Sequence, residues 1–317
     1  MQEYTKNIRA RAKALLDEGR VEVFIGYKKG SVPMSNAPVL IRDPAEADLL
    51  YWDSNCALNL CNWLTKRTEE KIGIVANGCN SRSILNHIAE TQIRRDQLFI
   101  LGVPCKGMID HRAVQRAVGH REILEITEAE GVITVRGNGF EEVLEKETVL
   151  QKNCAVCAHP NPVVYDELVA DPVEEREGGD AFKEIEDIES LDPEEKWEYF
   201  SRMVSPCIRC YACRNACPLC YCPTCFVDES QPQWVGKSTD PVDTMTFHML
   251  RAYHCAGRCT DCGACERVCP VGIPLRQLTL KLNKDTRDLF GWEAGLDADQ
   301  SPPLDVFKPD DYNDFAM

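Results

Sequence analysis

The chain has 317 residues, 44% of them hydrophobic, which is enough for two domains with buried cores and too apolar for wholesale disorder. Its net charge of -15 repels phosphate backbones and speaks against nucleic-acid binding, while it suits docking to a basic partner or plain solubility. Eighteen cysteines, with no apolar leader in MQEYTKNIRARAKALLDEG and no run near the ~20 apolar residues of a membrane span, point to a reducing cytoplasm, where cysteine serves metal or redox chemistry rather than disulfides.

In chain order, residues 1–18 pattern as an amphipathic helix through Tyr4, Ile8, Ala12, Leu15 and Leu16, stopped by Gly19. VEVFIGY (21–27) and APVLIR (37–42) read as strands, and 47–66 as mostly helical. KIGIVAN (71–77) is a nearly continuous apolar run, as a central parallel strand should be. A helix over 81–96 follows, with Ser81 or Ser83 as N-cap, and then a second buried strand, QLFILGV (97–103). HRAVQRAV (111–118) fits a short helix, and 122–137 a hairpin around Glu130-Gly131. RGNGFEE lacks the strand-to-helix context of a dinucleotide loop and reads as a turn.

This alternation predicts an α/β domain with a mainly parallel sheet over 1–165. Ligands of such sheets sit beyond the carboxyl ends of the strands, where Cys79 and Cys105 fall. Residues 166–198 are strongly acidic and predict a solvated linker ending in a short helix from Asp192. Residues 199–285 predict a small, loop-rich, α+β ferredoxin-like domain, and 286–317 an acidic tail, extended over a neighbour or mobile.

Two motifs carry the chemistry. CIRCYACRNACP places Cys207, Cys210, Cys213 and Cys217 before Pro218, and CTDCGACERVCP places Cys259, Cys262, Cys265 and Cys269 before Pro270. Each is C-x2-C-x2-C-x3-C-P: three close thiolates wrap one [4Fe–4S] cubane, and the fourth, carried onward, reaches the other. The expected sets are crossed: Cys207, Cys210, Cys213 with Cys269, and Cys259, Cys262, Cys265 with Cys217. Zinc takes paired C-x2-C knuckles and has no use for the third cysteine or the C-P ending.

Further cysteines leave alternatives open. Cys220, Cys222, Cys225 and Cys255 either hold another metal or pack as inert thiols. Cys154 and Cys157 form a lone C-x2-C, and Pro160 and Pro162 disfavour the helix of a thioredoxin-type pair. With Cys79 and Cys105 they make four thiolates for one more cubane. Cys56 and Cys61 are either reserve ligands or core thiols. His87 reads as an ordinary helix residue, and Lys28 and Lys29 as solvated lysines.

The segments KIGIVANGCNSRSI and LFILGVPCKGMID, with the downstream NCAVC pair, resemble the beta-subunit family of coenzyme F-420 hydrogenases and dehydrogenases over roughly residues 10–170. TFHMLRAYHCAGRCTDCGACERVCPVGIPL resembles the dicluster ferredoxin segments of heterodisulfide reductase and formate dehydrogenase partner subunits. The resemblance implies an electron-transfer subunit of an anaerobic oxidoreductase complex. It would pass electrons between a soluble carrier, such as ferredoxin or coenzyme F-420, and a hydrogenase, formate dehydrogenase or heterodisulfide reductase. It implies a third cluster on Cys79, Cys105, Cys154 and Cys157, and FAD near Gly78, Asn80, Ser81 and Arg82, where an arginine and helix N-terminal N–H groups meet a pyrophosphate. A flavin-free relay and a cluster-based redox sensor are the alternatives; the lack of a basic patch weighs against a DNA-binding sensor.

Overall fold

The computed structural model describes residues 2–65, 67, 69–129, 131–175 and 180–303. Helix α1 (Gln2–Asp17) buries Tyr4, Thr5, Ile8, Ala12 and Leu15 against the sheet, following the expected spacing. Strands β1 (Val23–Lys28), β2 (Ala37–Ile41) and β3 (Ile72–Ala76) precede helix α2 (Gly78–Ala89), and strand β4 (Leu98–Gly102) follows it. Helix α3 (His111–Ala117) leads to strands β5 (Ile123–Ala129), β6 (Val132–Gly137) and β7 (Phe140–Glu145). A one-turn helix, α4 (Lys152–Ala155), comes before the short strand β8 (Glu167–Leu168).

The main sheet has the order β2-β1-β3-β4-β8; β2 is an antiparallel edge and the other pairings are parallel. β3 and β4 are buried at every position, which explains their unbroken apolar runs. Gly73 leaves room for the Phe24 ring, 2.4 Å from where a Cβ would stand. A second sheet, β5-β6-β7, is antiparallel and covers Ile109, Val114, Val118, Ile133, Val135 and Val149.

Several local expectations are corrected. Residues 47–66 are not mostly helical: short 3-10 turns at Pro44–Leu49 and Leu60–Trp63 flank irregular chain. Side chains there compete with a helix for backbone donors, Asp53 accepting from Asn55 N (2.7 Å) and Asn59 from Cys61 N (3.0 Å). Helix α2 starts earlier than expected and ends at Ala89; Asn77 is its N-cap, and Ser81 and Ser83 lie inside it, bonded back to the carbonyls of Gly78 and Cys79. The turn at Asn138-Gly139 joins β6 to a strand the sequence hides, because FEEVLE holds three glutamates in six residues and no strict apolar–polar alternation. Glu130 of the expected hairpin lies outside the described residues.

The acidic stretch is more structured than a linker. β8 extends the sheet beside β4, and Glu167 is tied to Arg11 of α1 by two hydrogen bonds of 2.6 Å. Helices α5 (Lys183–Glu189) and α6 (Pro193–Val204) follow. α6 begins where expected, with Asp192 and Glu195 closing a capping box.

Residues 199–285 contain no strand among the described residues, so the α+β expectation gives way to helices and loops. Helices α7 (Ala212–Asn215), α8 (Pro241–Tyr253), α9 (Ala264–Arg267) and α10 (Arg276–Phe290) follow in this part of the chain. The physical reason lies in the motif loops: Arg209, Tyr211, Asp261 and Gly263 are left-handed, and each loop closes into a one-turn helix, α7 or α9. The start of the tail lies on α2, where the Ala294 carbonyl meets Arg82; residues 304–317 lie outside the described residues. Among the described residues, no helix is long and apolar enough to cross a membrane.

Candidate metal centres

The two motif loops repeat one backbone device. A left-handed residue stands before and after the central cysteine of each, Arg209 and Tyr211 around Cys210, Asp261 and Gly263 around Cys262. This curls backbone N–H groups inward, a nest suited to anionic sulfur. Arg209 N donates to Cys207 Sγ (3.4 Å), Ile273 N to Cys269 Sγ (3.4 Å), and Asp261 N to Cys259.

The fold crosses the motifs. Cys269 of the second comes to Cys207 of the first, in the apolar cluster that also holds Cys213. Cys217 of the first stands with Cys259, Cys262 and Cys265 of the second. Burial pushes the thiols of Cys213 and Cys259 up, to about 11 and about 12. Cys210 is exposed, so the first set reaches the surface.

The N-terminal set is built from three loops. The Asn77 side chain accepts from Asn80 N (3.1 Å) and from the Cys79 thiol (3.2 Å), and its amide lies 3.9 Å from Cys105 Sγ. Gly78 is required because a Cβ would stand 1.9 Å from the His159 carbonyl oxygen, in the segment after Cys157 that Val163 N ties to the Ser81 hydroxyl of α2 (2.9 Å). Gly107, left-handed, turns the chain after Cys105 against Leu150, 2.8 Å from where a Cβ would stand. Burial lifts the Cys79 thiol well above its ordinary range, with Cys262, Cys105, Cys154 and Cys157 adding to it. Burial likewise raises Cys105, and Cys154 to about 12. Four soft sulfur donors lining one cavity suit an iron–sulfur cubane, and a metal must displace their protons.

The N-terminal and second-motif sets share a cavity of about 180 Å³, with Cys79, Cys105, Cys154 and Cys157 lining one part and Cys259 and Cys262 another. Polar contacts join the two halves around it. Asn153 donates to the Asp261 carbonyl (2.9 Å), Ser83 and Thr260 share a hydrogen bond (3.0 Å), and His87 Nε2 meets the Pro218 carbonyl (2.8 Å). This contact explains why α2 buries Ser81, Arg82, Ser83, Asn86 and His87.

Of the remaining cysteines, Cys220 and Cys255 converge on Cys217, all three sulfurs lying within 4.8 Å of one another. Hydrogen bonds from Cys220 and Cys255 draw the Cys217 thiol down, and the same contacts push Cys255 up. Cys222 is exposed, and Cys225 packs beside the first set. Cys56 and Cys61 are buried in the main core, where burial raises both thiols.

The first turn of α2 does not fit a flavin pyrophosphate. Arg82 is buried, donates twice to the Ala294 carbonyl (2.6 and 3.0 Å) and pairs with Glu293 (2.9 Å), whose carboxylate would oppose a phosphate. Asn80 accepts from Leu60 N (3.3 Å), the Ser81 hydroxyl accepts from Val163 N (2.9 Å), and the His159 carbonyl covers Gly78. Two further residues touch the thiolates without having been singled out by sequence: Asn77, and His248, whose Nε2 lies 3.2 Å from Cys207 Sγ and which burial keeps neutral, with a pKa of about 4. The signals were an asparagine directly before the strand-end glycine and cysteine, and a polar stripe on the helix between the two motifs.

These centres define an iron–sulfur protein: the 4Fe-4S dicluster domain family matches residues 203–273. The resemblance read from the sequence holds along the chain as well. It is similar to the F420-dependent formate dehydrogenase subunit beta of Methanocaldococcus jannaschii, 26% identical over an alignment of 362 positions covering 94% of this chain and 93% of that protein. It is also similar to the F420-dependent formate dehydrogenase 1 subunit beta of Methanococcus maripaludis, 24% identical, with 93% and 92% covered. Among solved structures, a chain of the xenon-derivatised F420-reducing [NiFe] hydrogenase complex from Methanosarcina barkeri aligns with a TM-score of 0.40 and 16% identity, covering 65% of this chain and 90% of that one.

Proposed function

We propose that this chain is the iron–sulfur electron-transfer subunit of a formate dehydrogenase or hydrogenase complex that uses coenzyme F420 as soluble carrier. The observation that supports this best is the serial arrangement of three thiolate sets. Cys79, Cys105, Cys154 and Cys157 share a cavity with Cys259 and Cys262, and the second motif interlocks with Cys207, Cys210 and Cys213 through its crossed fourth cysteines. When bound, [4Fe–4S] cubanes on these sets supply one-electron carriage. The chain's own residues hold the thiolates in dry loops, donate N–H groups to sulfur, and leave Cys210 exposed where a partner docks.

The test is the content of iron, acid-labile sulfide, zinc and flavin in anaerobically prepared protein. About 12 irons per chain are expected from three cubanes. About 8 would restrict the relay to the two motifs, and stoichiometric zinc with little iron would overturn it.

A flavin-bearing version of this function has one observation in its favour, away from α2. A groove of about 1250 Å³ runs between α1, the loop at 29–36 and β5, with Tyr51, Trp52 and Lys29 on its walls. That space is on the scale of a large cofactor site. One FAD per chain, lost on Tyr51→Ala with the iron retained, is the expected result if the groove holds it.

A further inference from the structure

Arg251 lies in the last turn of α8, on the face that also buries Thr244 and His248, at i, i+4 and i+7. Its residue is 3% exposed. Among the described residues no carboxylate pairs with it, and its Nε and Nη1 have no hydrogen-bond partner; Nη2 alone reaches a carbonyl, that of Cys213, at 3.4 Å. Arg276, buried nearly as deeply, shows the usual solution: Asp261 accepts from it twice, at 2.6 and 2.8 Å. A buried guanidinium without such a partner is strongly unfavourable, so an anion must meet it.

The neighbours of Arg251 are sulfurs from both motifs. It lines the pocket of the second set with Cys217, Cys259, Cys262 and Cys265 and hydrogen-bonds Cys265, while its Nη2 reaches the Cys213 carbonyl of the first. We propose that Arg251 is the shared counter-charge of the two motif cubanes, lying between them and raising the reduction potential of both. The inference rests on the proposed function. Each cubane gains one negative charge on reduction, and a fixed cation with free N–H donors favours that reduced state. The Arg209 guanidinium is held by the Tyr211 hydroxyl and the Gly236 carbonyl, and His248 lies against Cys207 of the first set, so neither shares this position.

The experiment is a potentiometric titration with dithionite, followed by EPR, on the full chain carrying Arg251→Gln or Arg251→Lys. Arg251→Gln should disfavour reduction at both motif centres by about tenfold, ~59 mV each for a one-electron couple. Arg251→Lys, which keeps the charge, should return both most of the way. Unchanged potentials, or a shift at one centre alone, would overturn the inference. If Arg251→Gln fails to hold iron, Arg251→Lys decides: full iron with near-native potentials upholds a charge role, and iron loss there too shows a packing role instead. Absence of [4Fe–4S] signals in the unsubstituted chain would sink the proposed function itself and is distinguishable from either result.

Discussion

Asn153 donates its side-chain amide to the carbonyl of Asp261 at 2.9 Å, joining the residue before Cys154 to the residue before Cys262 across 108 positions of sequence. Gly263 makes room for this contact, since a Cβ there would stand 2.7 Å from Asn153 Oδ1. The amide therefore fixes how closely the N-terminal thiolates approach the second motif. Asn153→Ala should cost about 1 kcal/mol in denaturant unfolding. It should also slow electron exchange between the N-terminal and second-motif centres in stopped-flow reduction, with the iron content unchanged. Equal stability and equal rates would show that the contact does not set the approach.

Gly78→Ala tests the N-terminal set. The new methyl would meet a backbone carbonyl, that of His159, at 1.9 Å, and backbone yields only if the whole segment moves. That segment follows Cys157. Destabilisation of about 2 kcal/mol is expected from the overpacking. The chain should also lose about four irons, one cubane's worth, while the two motif centres keep their EPR signals. Retention of all the iron would place the third cluster, if any, elsewhere.

How much of this was legible in the sequence depended on whether the signal was local. The apolar runs of β3 and β4 and the spacing of α1 announced themselves, because burial on both faces or one stripe leaves a periodic trace. The doubled motif likewise fixed its own chemistry. The start of α2 was misplaced because Ser81 and Ser83 resemble caps, whereas Asn77 wins by bonding Asn80 N and the Cys79 thiol together. That shift placed Arg82 on a helix face held by Ala294 and Glu293, residues over 200 positions away that no local pattern could reveal. β8 escaped notice because two residues carry no periodicity; only β4 and Arg11 define it.

The trio of Cys217, Cys220 and Cys255 offers three thiolates to one corner, and a cubane corner takes one. Cys255 lines the second-set pocket together with Cys217, so it is the natural substitute. Cys217→Ala should keep the iron of the second centre, with altered EPR g values as Cys255 takes its place. Cys217→Ala combined with Cys255→Ala should lose about four irons. Complete loss in the single variant would show that Cys255 cannot reach the iron.

His87 gives the interface a pH dependence of defined sign. It is fully buried, its Nε2 bonds the Pro218 carbonyl at 2.8 Å, and among the described residues its Nδ1 has no partner. A carbonyl only accepts, so Nε2 carries the proton of a neutral ring. Burial holds the pKa below the ordinary 6.5. The unfolded chain therefore takes up a proton as pH falls through about 6.5, and the folded chain does so only further down. This group leaves stability unchanged above that range and lowers it progressively below. His87→Gln keeps a donor for Pro218 and removes the titration. Its penalty relative to the unsubstituted chain should thus be largest near pH 8 and shrink, or reverse, near pH 5.5, in denaturant midpoints measured at the two values. Parallel profiles would mean that another group governs acid sensitivity at this interface.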